Sequence, residues 1–293
     1  MLYPVVDIGS NTVKMAVFDS ENADLYTPVC FKSMPLRLIE KREKGSLTKE
    51  GIYSLCNAVV TCMGLCQSKG ITSPMRLFAT ASLRGIRNPR QVKKSVEEST
   101  GQSIRILSSR EEAHYSLMGA CAADGIREGL LMDMGGGSTE FIAFSDEKEQ
   151  HVHSFQYGCV SLNEKLYRYG VSNLQNYVTR KLRSISFVKN NKLPLYLTGG
   201  SAKAMITAKK VIYGGDDSVS HDQLYTLVRD LQKSDDSVKE MLASLLRERS
   251  EQLAAVVFAL YCTLCETDCQ TARVVKGGIR EGFVREWMNE EKE

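Results

Sequence analysis

The sequence predicts an α/β protein made of two related domains, and three observations carry that prediction. Short apolar runs that read as strands alternate with helical periodicity along the whole chain. An Asp-x-Gly hairpin signature occurs twice, at Asp7 and at Asp133, 126 residues apart. A period that long marks a duplicated domain, because solenoid repeats are about 20–50 residues. Finally, 293 residues suffice for two ordinary domains with cores of their own.

The elements follow in order. Residues 3–18 read as an apolar strand, Asp7-Ile8-Gly9, the polar trio Ser10-Asn11-Thr12, and a second strand. Residues 24–39 add one or two strands and end at a charged turn, 40–45. Thr48 opens a helix to Ser68, which lacks charges after Glu50 but is interrupted by Ser, Asn, Thr, Cys and Gln, so it is read as a buried amphipathic helix and not a membrane span. Residues 75–80 form a strand; Pro89 then sits in the first turn of a helix with Asn88 as its cap. After a strand at 103–107, Ser108 or Ser109 caps the next helix, and Ser109-x-x-Glu112 reads as a capping box.

The second half repeats the plan. Residues 130–144 contain two apolar runs joined by Gly135-Gly136-Gly137, with Asp133 before the glycines and Ser138, Thr139 and Glu140 after them. A third strand at 151–157 precedes helices at 161–169 and 173–188. Residues 193–204 read as strand, Gly199-Gly200 turn and helix, with Ser201 at the turn; residues 214–217 read as a loop, two or three helices follow, and 273–280 repeat strand, Gly-Gly, helix. The domains are expected at 1–112 and 113–279, with the last helix, about 280–293, packing back onto the first.

The glycine-rich turns carry the chemistry. A turn without side chains lets backbone N–H groups converge on an anion, and hydroxyls add donors. Asp133 and Glu140 are placed to hold a divalent cation against that anion, as hard oxygen ligands. Two such hairpins facing a cleft would clamp phosphates from both sides. Between Gly51 and Val96 there is no Asp or Glu, while Lys69, Arg76, Arg84, Arg87, Arg90, Lys93 and Lys94 all fall inside. That span either focuses positive potential or is a solvated helix face.

Asp7 interrupts the N-terminal apolar run too early for a secretory signal. Nine cysteines without an export signal point to reduced thiols in the cytoplasm. Cys262, Cys265 and Cys269 are read as one face of a core helix, and Cys62 and Cys66 likewise. The pair His221-Asp222 is read as a surface loop.

Seven ordered motifs resemble the exopolyphosphatase and guanosine pentaphosphate phosphohydrolase (Ppx/GppA) family: residues 7–12, 79–84, 109–113, 133–140, 158–161, 198–201 and 278–282. The resemblance implies two actin-like, ribonuclease-H-like domains, as in the sugar kinase, Hsp70 and actin superfamily, around an interdomain cleft. It also implies Mg²⁺-dependent hydrolysis of terminal phosphoanhydride bonds. By position, Glu112 matches the family's general base, with Glu111 a competitor, and Glu140 a second catalytic carboxylate. Asp133, Glu140 and Asp7 match the metal centre. Ser10, Asn11, Thr12, Arg84, Gly136, Gly137, Ser138, Gly200 and Ser201 match the phosphate-binding set. The implied substrate is inorganic polyphosphate or guanosine pentaphosphate, without nucleic acid or membrane partners and with a homodimer open. A non-catalytic guanosine tetra- or pentaphosphate sensor and an ATP-dependent kinase of the same fold are the alternatives. Residues 36–40 depart from the family's glycine-containing Arg-Leu-Gly-x-Gly segment, and the HD-like helical domain of long relatives has no counterpart in this sequence.

Overall fold

The computed structural model describes residues 1–22, 24–189, 191–233, 236–246 and 249–291. The chain divides into two compact units: residues 1–115 with 279–293, and residues 116–278.

The first unit contains β1 (Leu2–Ile8), β2 (Thr12–Asp19), β3 (Cys30–Pro35), β4 (Arg42–Glu43), β5 (Ser46–Leu47), α1 (Lys49–Ser68), β6 (Arg76–Ala79), α2 (Ala81–Arg84), α3 (Pro89–Thr100) and β7 (Ile104–Ile106). Its five-stranded sheet has the order β3-β2-β1-β6-β7, antiparallel through β1–β3 and parallel through β1, β6 and β7. Successive residues of β1 point to opposite faces, so its continuous apolar run demands cover on both sides. Val6 and Ile8 pack with Val13, Met15 and the buried residues of α1 and α3. Val5 packs on the other face with Phe18, Phe78 and the helix from the C-terminal end, whose Phe283 and Trp287 fill that side. The Trp287 and Tyr3 rings meet edge-on at 5.0 Å, and the Arg76 guanidinium covers Trp287 at 4.3 Å.

Helix α4 (Ser109–Asp124) contains the division between the units. The second unit continues with β8 (Glu128–Met134), β9 (Thr139–Ser145), β10 (Lys148–Phe155), α5 (Cys159–Arg183), β11 (Leu195–Thr198), α6 (Gly199–Tyr213), β12 (Ser218–Ser220), α7 (His221–Lys233), α8 (Asp236–Leu246), α9 (Leu253–Glu266) and β13 (Thr271–Val274). The C-terminal helix α10 (Ile279–Glu290) belongs to the first unit. The second sheet has the order β10-β9-β8-β11-β13-β12. Its first five strands repeat the first sheet: three antiparallel strands, then two parallel ones. Strand β12 is an antiparallel addition that the sequence reading does not contain.

Several local expectations are corrected. The helices predicted at 161–169 and 173–188 are both there, as the two segments of α5 on either side of Gly170, whose φ of 75° is not helical; the second ends at Arg183 rather than at 188. The charged turn at 40–45 opens the short hairpin β4–β5, which runs on to Leu47. Asn88 precedes α3 but does not cap it through its side chain; its amide exchanges two hydrogen bonds with the Leu47 backbone, as a strand residue would. The capping box of α4 is shifted by one residue: Ser108 Oγ accepts from Glu111 N–H at 3.1 Å, and Glu111 accepts from Ser108 N–H at 2.8 Å. His221 is not in a loop but starts α7. The three late cysteines do not share a core face. Cys262 is buried, Cys265 is exposed with its sulfur 3.3 Å from His221 Nε2, and Cys269 lies beyond the end of α9. Among the described residues no helix is long and apolar enough to cross a membrane.

Candidate functional site

Each unit carries a turn of the same construction. In the first, Gly9 N–H donates to Thr12 O at 3.0 Å; in the second, Gly135 N–H donates to Ser138 O at 3.0 Å. A side chain at Gly9 would press on the Thr12 carbonyl, so the turn requires glycine there. Both aspartates end a strand two residues before these glycines and are buried.

In the first unit the turn is held from outside by the segment at 36–39. Leu36 and Arg37 N–H donate to Asn11 O, and Ile39 N–H donates to Ser10 O. The side chains of Ser10, Asn11 and Thr12 are buried beside it. Strand β6 leads into α2, which is one turn long. Ser82 Oγ donates to Ile8 O, and Arg42 Nη2 donates to Ala81 O at 3.0 Å and Ser82 O at 2.5 Å. This clamp fixes Arg84, whose Nη1 bonds Leu107 O at 3.1 Å and Glu112 Oε2 at 2.8 Å. Both side chains of the Arg84–Glu112 pair are largely buried. Arg84 Nη2 is buried and, among the described residues, has no hydrogen-bond acceptor. A charged donor withdrawn from water without an acceptor is costly, and an anionic ligand removes that cost.

Glu111 is in a different situation. It caps α4 and pairs with Arg105 at 2.7 Å, with its side chain two-fifths exposed. The Arg105 guanidinium, with help from Ser108, holds its carboxyl down at about 2.

In the second unit the triple-glycine turn is held by a helix. Cys159 N–H donates to Gly135 O at 2.9 Å and Val160 N–H to Gly136 O at 3.2 Å, so the first turn of α5 grips the loop. Gly158 is pressed against Gly135 and Gly136, where a Cβ would collide with their backbone. Gly136 and Gly137 are half-buried, and Ser138 Oγ is buried without a partner among the described residues. Thr139 Oγ1 instead donates to Tyr157 O, which fixes the exit strand.

Asp133 and Glu140 are register partners on β8 and β9. Directly opposed cross-strand residues point to one face with Cβ atoms about 5 Å apart, and like charges there repel. Ser116 Oγ donates to Asp133 at 2.5 Å and Ser154 Oγ to Glu140 at 2.8 Å, so each carboxylate is oriented by a hydroxyl. Two adjacent buried carboxylates suit a hard divalent cation that completes its shell with water and phosphate oxygens. The donor set therefore fits Mg²⁺.

Gly199, at φ 85°, lets α6 start against Asp133 Oδ1, which a side chain would strike. Gly200 lies under the Arg249 guanidinium, and Ser201 is buried next to it. Three residues near these turns escape sequence reasoning. Ser116 carries a weak signal, four residues after Glu112 on one helix face. Arg42 and Arg249 carry none, because each lies in an ordinary-looking charged stretch.

The structure thus brings Asp7, Ser10, Asn11, Thr12, Arg84 and Glu112 into one unit, and Asp133, Gly136, Gly137, Ser138, Glu140, Gly200 and Ser201 into the other. Among known proteins, exopolyphosphatase 1 of Mycobacterium tuberculosis is 29% identical over 164 residues, which are 55% of this chain and 47% of that protein. The guanosine-5'-triphosphate,3'-diphosphate pyrophosphatase of Vibrio campbellii is 24% identical over 304 residues, 99% of this chain and 60% of that protein. The chain thus spans about half the length of these curated relatives. A crystal structure of the Aquifex aeolicus Ppx/GppA family member superposes with a TM-score of 0.79 at 18% identity, covering 100% of this chain and 99% of that one. An exopolyphosphatase from Cytophaga hutchinsonii gives 0.79 at 14% identity, covering 99% and 98%. These structures share its fold, and the family model for the Ppx/GppA phosphatases matches residues 17–291: this chain belongs to the Ppx/GppA phosphatase family.

Proposed function

We propose that the protein is an exopolyphosphatase-type hydrolase that cleaves the terminal phosphoanhydride bond of inorganic polyphosphate and releases orthophosphate. The observation that carries this reading is the buried Arg84–Glu112 pair with its second Arg84 amino group lacking an acceptor among the described residues. Phosphoryl transfer asks the protein mainly to position groups and neutralise charge. In the proposed reaction Arg84 offers Nη2 to a phosphate oxygen while Nη1 holds the Glu112 carboxylate. Glu112 takes a proton from the attacking water, the water oxygen bonds to the terminal phosphorus, and the bridging P–O bond breaks. The shortened chain leaves as an anion and the terminal group as orthophosphate.

What favours Glu112 over Glu111 as base is position: Glu112 is buried beside Arg84 Nη2, whereas Glu111 is part-exposed, caps α4 and pairs with Arg105. The backbone of the Gly135–Gly137 turn, Ser138 Oγ and the start of α6 with Gly200, Ser201 and Arg249 supply further contacts to phosphate oxygens. Ser10, Asn11 and Thr12 do the same from the first unit. Asp133 and Glu140 would hold Mg²⁺, which when bound shields phosphate charge and lowers the barrier to attack. The free thiols of all nine cysteines agree with a reducing cytoplasm.

The test is phosphate release from polyphosphates of defined length, with guanosine pentaphosphate alongside. Glu112→Gln is expected to bind polyphosphate while turnover falls by about 10²–10⁴. Undiminished release from that variant removes Glu112 as base, and faster release from guanosine pentaphosphate than from any polyphosphate reassigns the substrate.

A further inference from the structure

A cavity of about 430 Å³ that the proposed reaction does not use lies along α5 on both sides of Gly170. Lys165 and Tyr169 line it before the break at Gly170, and Asn173, Asn176, Tyr177 and Arg180 line it beyond the break. Its lining carries two cations, two carboxamides and two phenol rings, and no carboxylate. Lys165 Nζ lies 4.5 Å over the Tyr177 ring.

Charge on this helix is concentrated. Residues 159–183 hold five Lys and Arg and one Glu, a net of +4, while the whole chain carries +3. Arg168 is paired with that Glu164 at 2.8 Å, and Arg183 with Glu266 at 2.8 Å. The two cations that line the cavity, Lys165 and Arg180, have no ion-pair partner among the described residues. Two neighbouring positive charges without ion-pair partners raise the local potential for an anion, and the carboxamides add donors and acceptors. The same helix grips the triple-glycine turn through its first N–H groups. At 1.5 Å per residue, Lys165 lies roughly 9 Å along the axis from Cys159.

We propose that this cavity is an accessory site for a multiply phosphorylated anion. Two sources share that chemistry: distal phosphates of the chain being hydrolysed, or a free phosphorylated nucleotide whose base lies against the tyrosines. The first source rests on the hydrolase reading; the second does not.

The experiment is calorimetric binding to the full chain, using long inorganic polyphosphate, tripolyphosphate and guanosine tetraphosphate as separate probes. The double variant Lys165→Glu, Arg180→Glu is compared with Arg168→Glu, a charge reversal of the same helix outside the cavity. The milder double variant Lys165→Gln, Arg180→Gln replaces the first if its thermal unfolding midpoint falls. Two charge reversals are expected to weaken the bound probe by about tenfold, with Arg168→Glu close to wild type. A loss confined to long polyphosphate, with tripolyphosphate unchanged, assigns the site to the substrate chain; a loss for guanosine tetraphosphate assigns it to a nucleotide. Unchanged affinity for all three probes, or an equal loss with Arg168→Glu, overturns the proposal. Binding through these residues without any phosphate release keeps this site and overturns the hydrolase reading, and release with unaltered binding does the reverse.

Discussion

In β1–β2, Asp7 stands opposite Lys14; in β8–β9, Asp133 stands opposite Glu140. The two hairpins otherwise share strand order, the Asp-x-Gly spacing and a turn closed at the same distance. One cross-strand position therefore separates their electrostatics. An acid facing a base on one sheet face is mildly favourable, and an acid facing an acid is not. The first hairpin is close to charge-balanced, which fits the anion-cradle role proposed for it. The second sets two acids side by side, each bonded to a serine hydroxyl, an arrangement that would suit a divalent cation. The two units share the backbone device, while a single side-chain position sets their charge balance apart.

The anchoring of the two turns differs as well. The first is held by the irregular segment at 36–39, the second by the N-terminus of α5. The helix end gives the second turn two N–H donors against three from the 36–39 segment, but it ties that turn to a regular, rigid element.

The strongest way to break the comparison is to neutralise one acid in each hairpin. Glu140→Gln is expected to lower turnover by about 100-fold and to raise the Mg²⁺ concentration giving half activity. Asp7→Asn is expected to leave that concentration unchanged, because Lys14 balances it. An equal shift in both variants, measured by magnesium titration of phosphate release, would show that the hairpins share the metal.

A smaller effect is expected where α5 meets the triple glycine. Gly158→Ala places a methyl group against the Gly135 and Gly136 backbone and should destabilise the fold by about 1–3 kcal/mol. Gly64→Ala, on the exposed side of α1 with no atom near its added Cβ, should stabilise by about 0.5–1 kcal/mol. Thermal unfolding of the two variants measures both signs. Stabilisation by Gly158→Ala would mean that the helix does not grip the turn.

The smallest effect concerns Glu111, the acid left out of the reaction. Its carboxyl is held at about 2 against an ordinary 4.5, so its contribution to stability is full above that ordinary value and fades as pH falls toward about 2. Because the side chain is substantially exposed, the contribution is small. The gap in unfolding midpoint between wild type and Glu111→Gln should close across that window. A gap that persists below pH 2 would show that Glu111 acts only through packing.

How much was legible follows from which forces are local. Both turns were readable because glycine, aspartate and hydroxyl residues at fixed spacing encode a backbone conformation directly. The cap of α4 was misread by one residue because Ser108-x-x-Glu111 and Ser109-x-x-Glu112 are equally good frames. What separates them is long-range: Arg84, 28 residues earlier in the chain, claims Glu112. Asn88 looked like a helix cap, but Leu47, 41 residues away, offers its amide a strand-like pair of bonds.

The sequence by itself determined most of the alternation of strands and helices, the duplication, and the positions of the glycine-rich turns. These depend on side-chain periodicity and on backbone freedom within a few residues. Tertiary structure alone decided which charges meet: Arg42 on the α2 carbonyls 39 and 40 residues away, Ser116 on Asp133 across 17, and Arg249 over Gly200. Electrostatic partnership is a property of distance in space, and only the paired sheets bring those groups within reach.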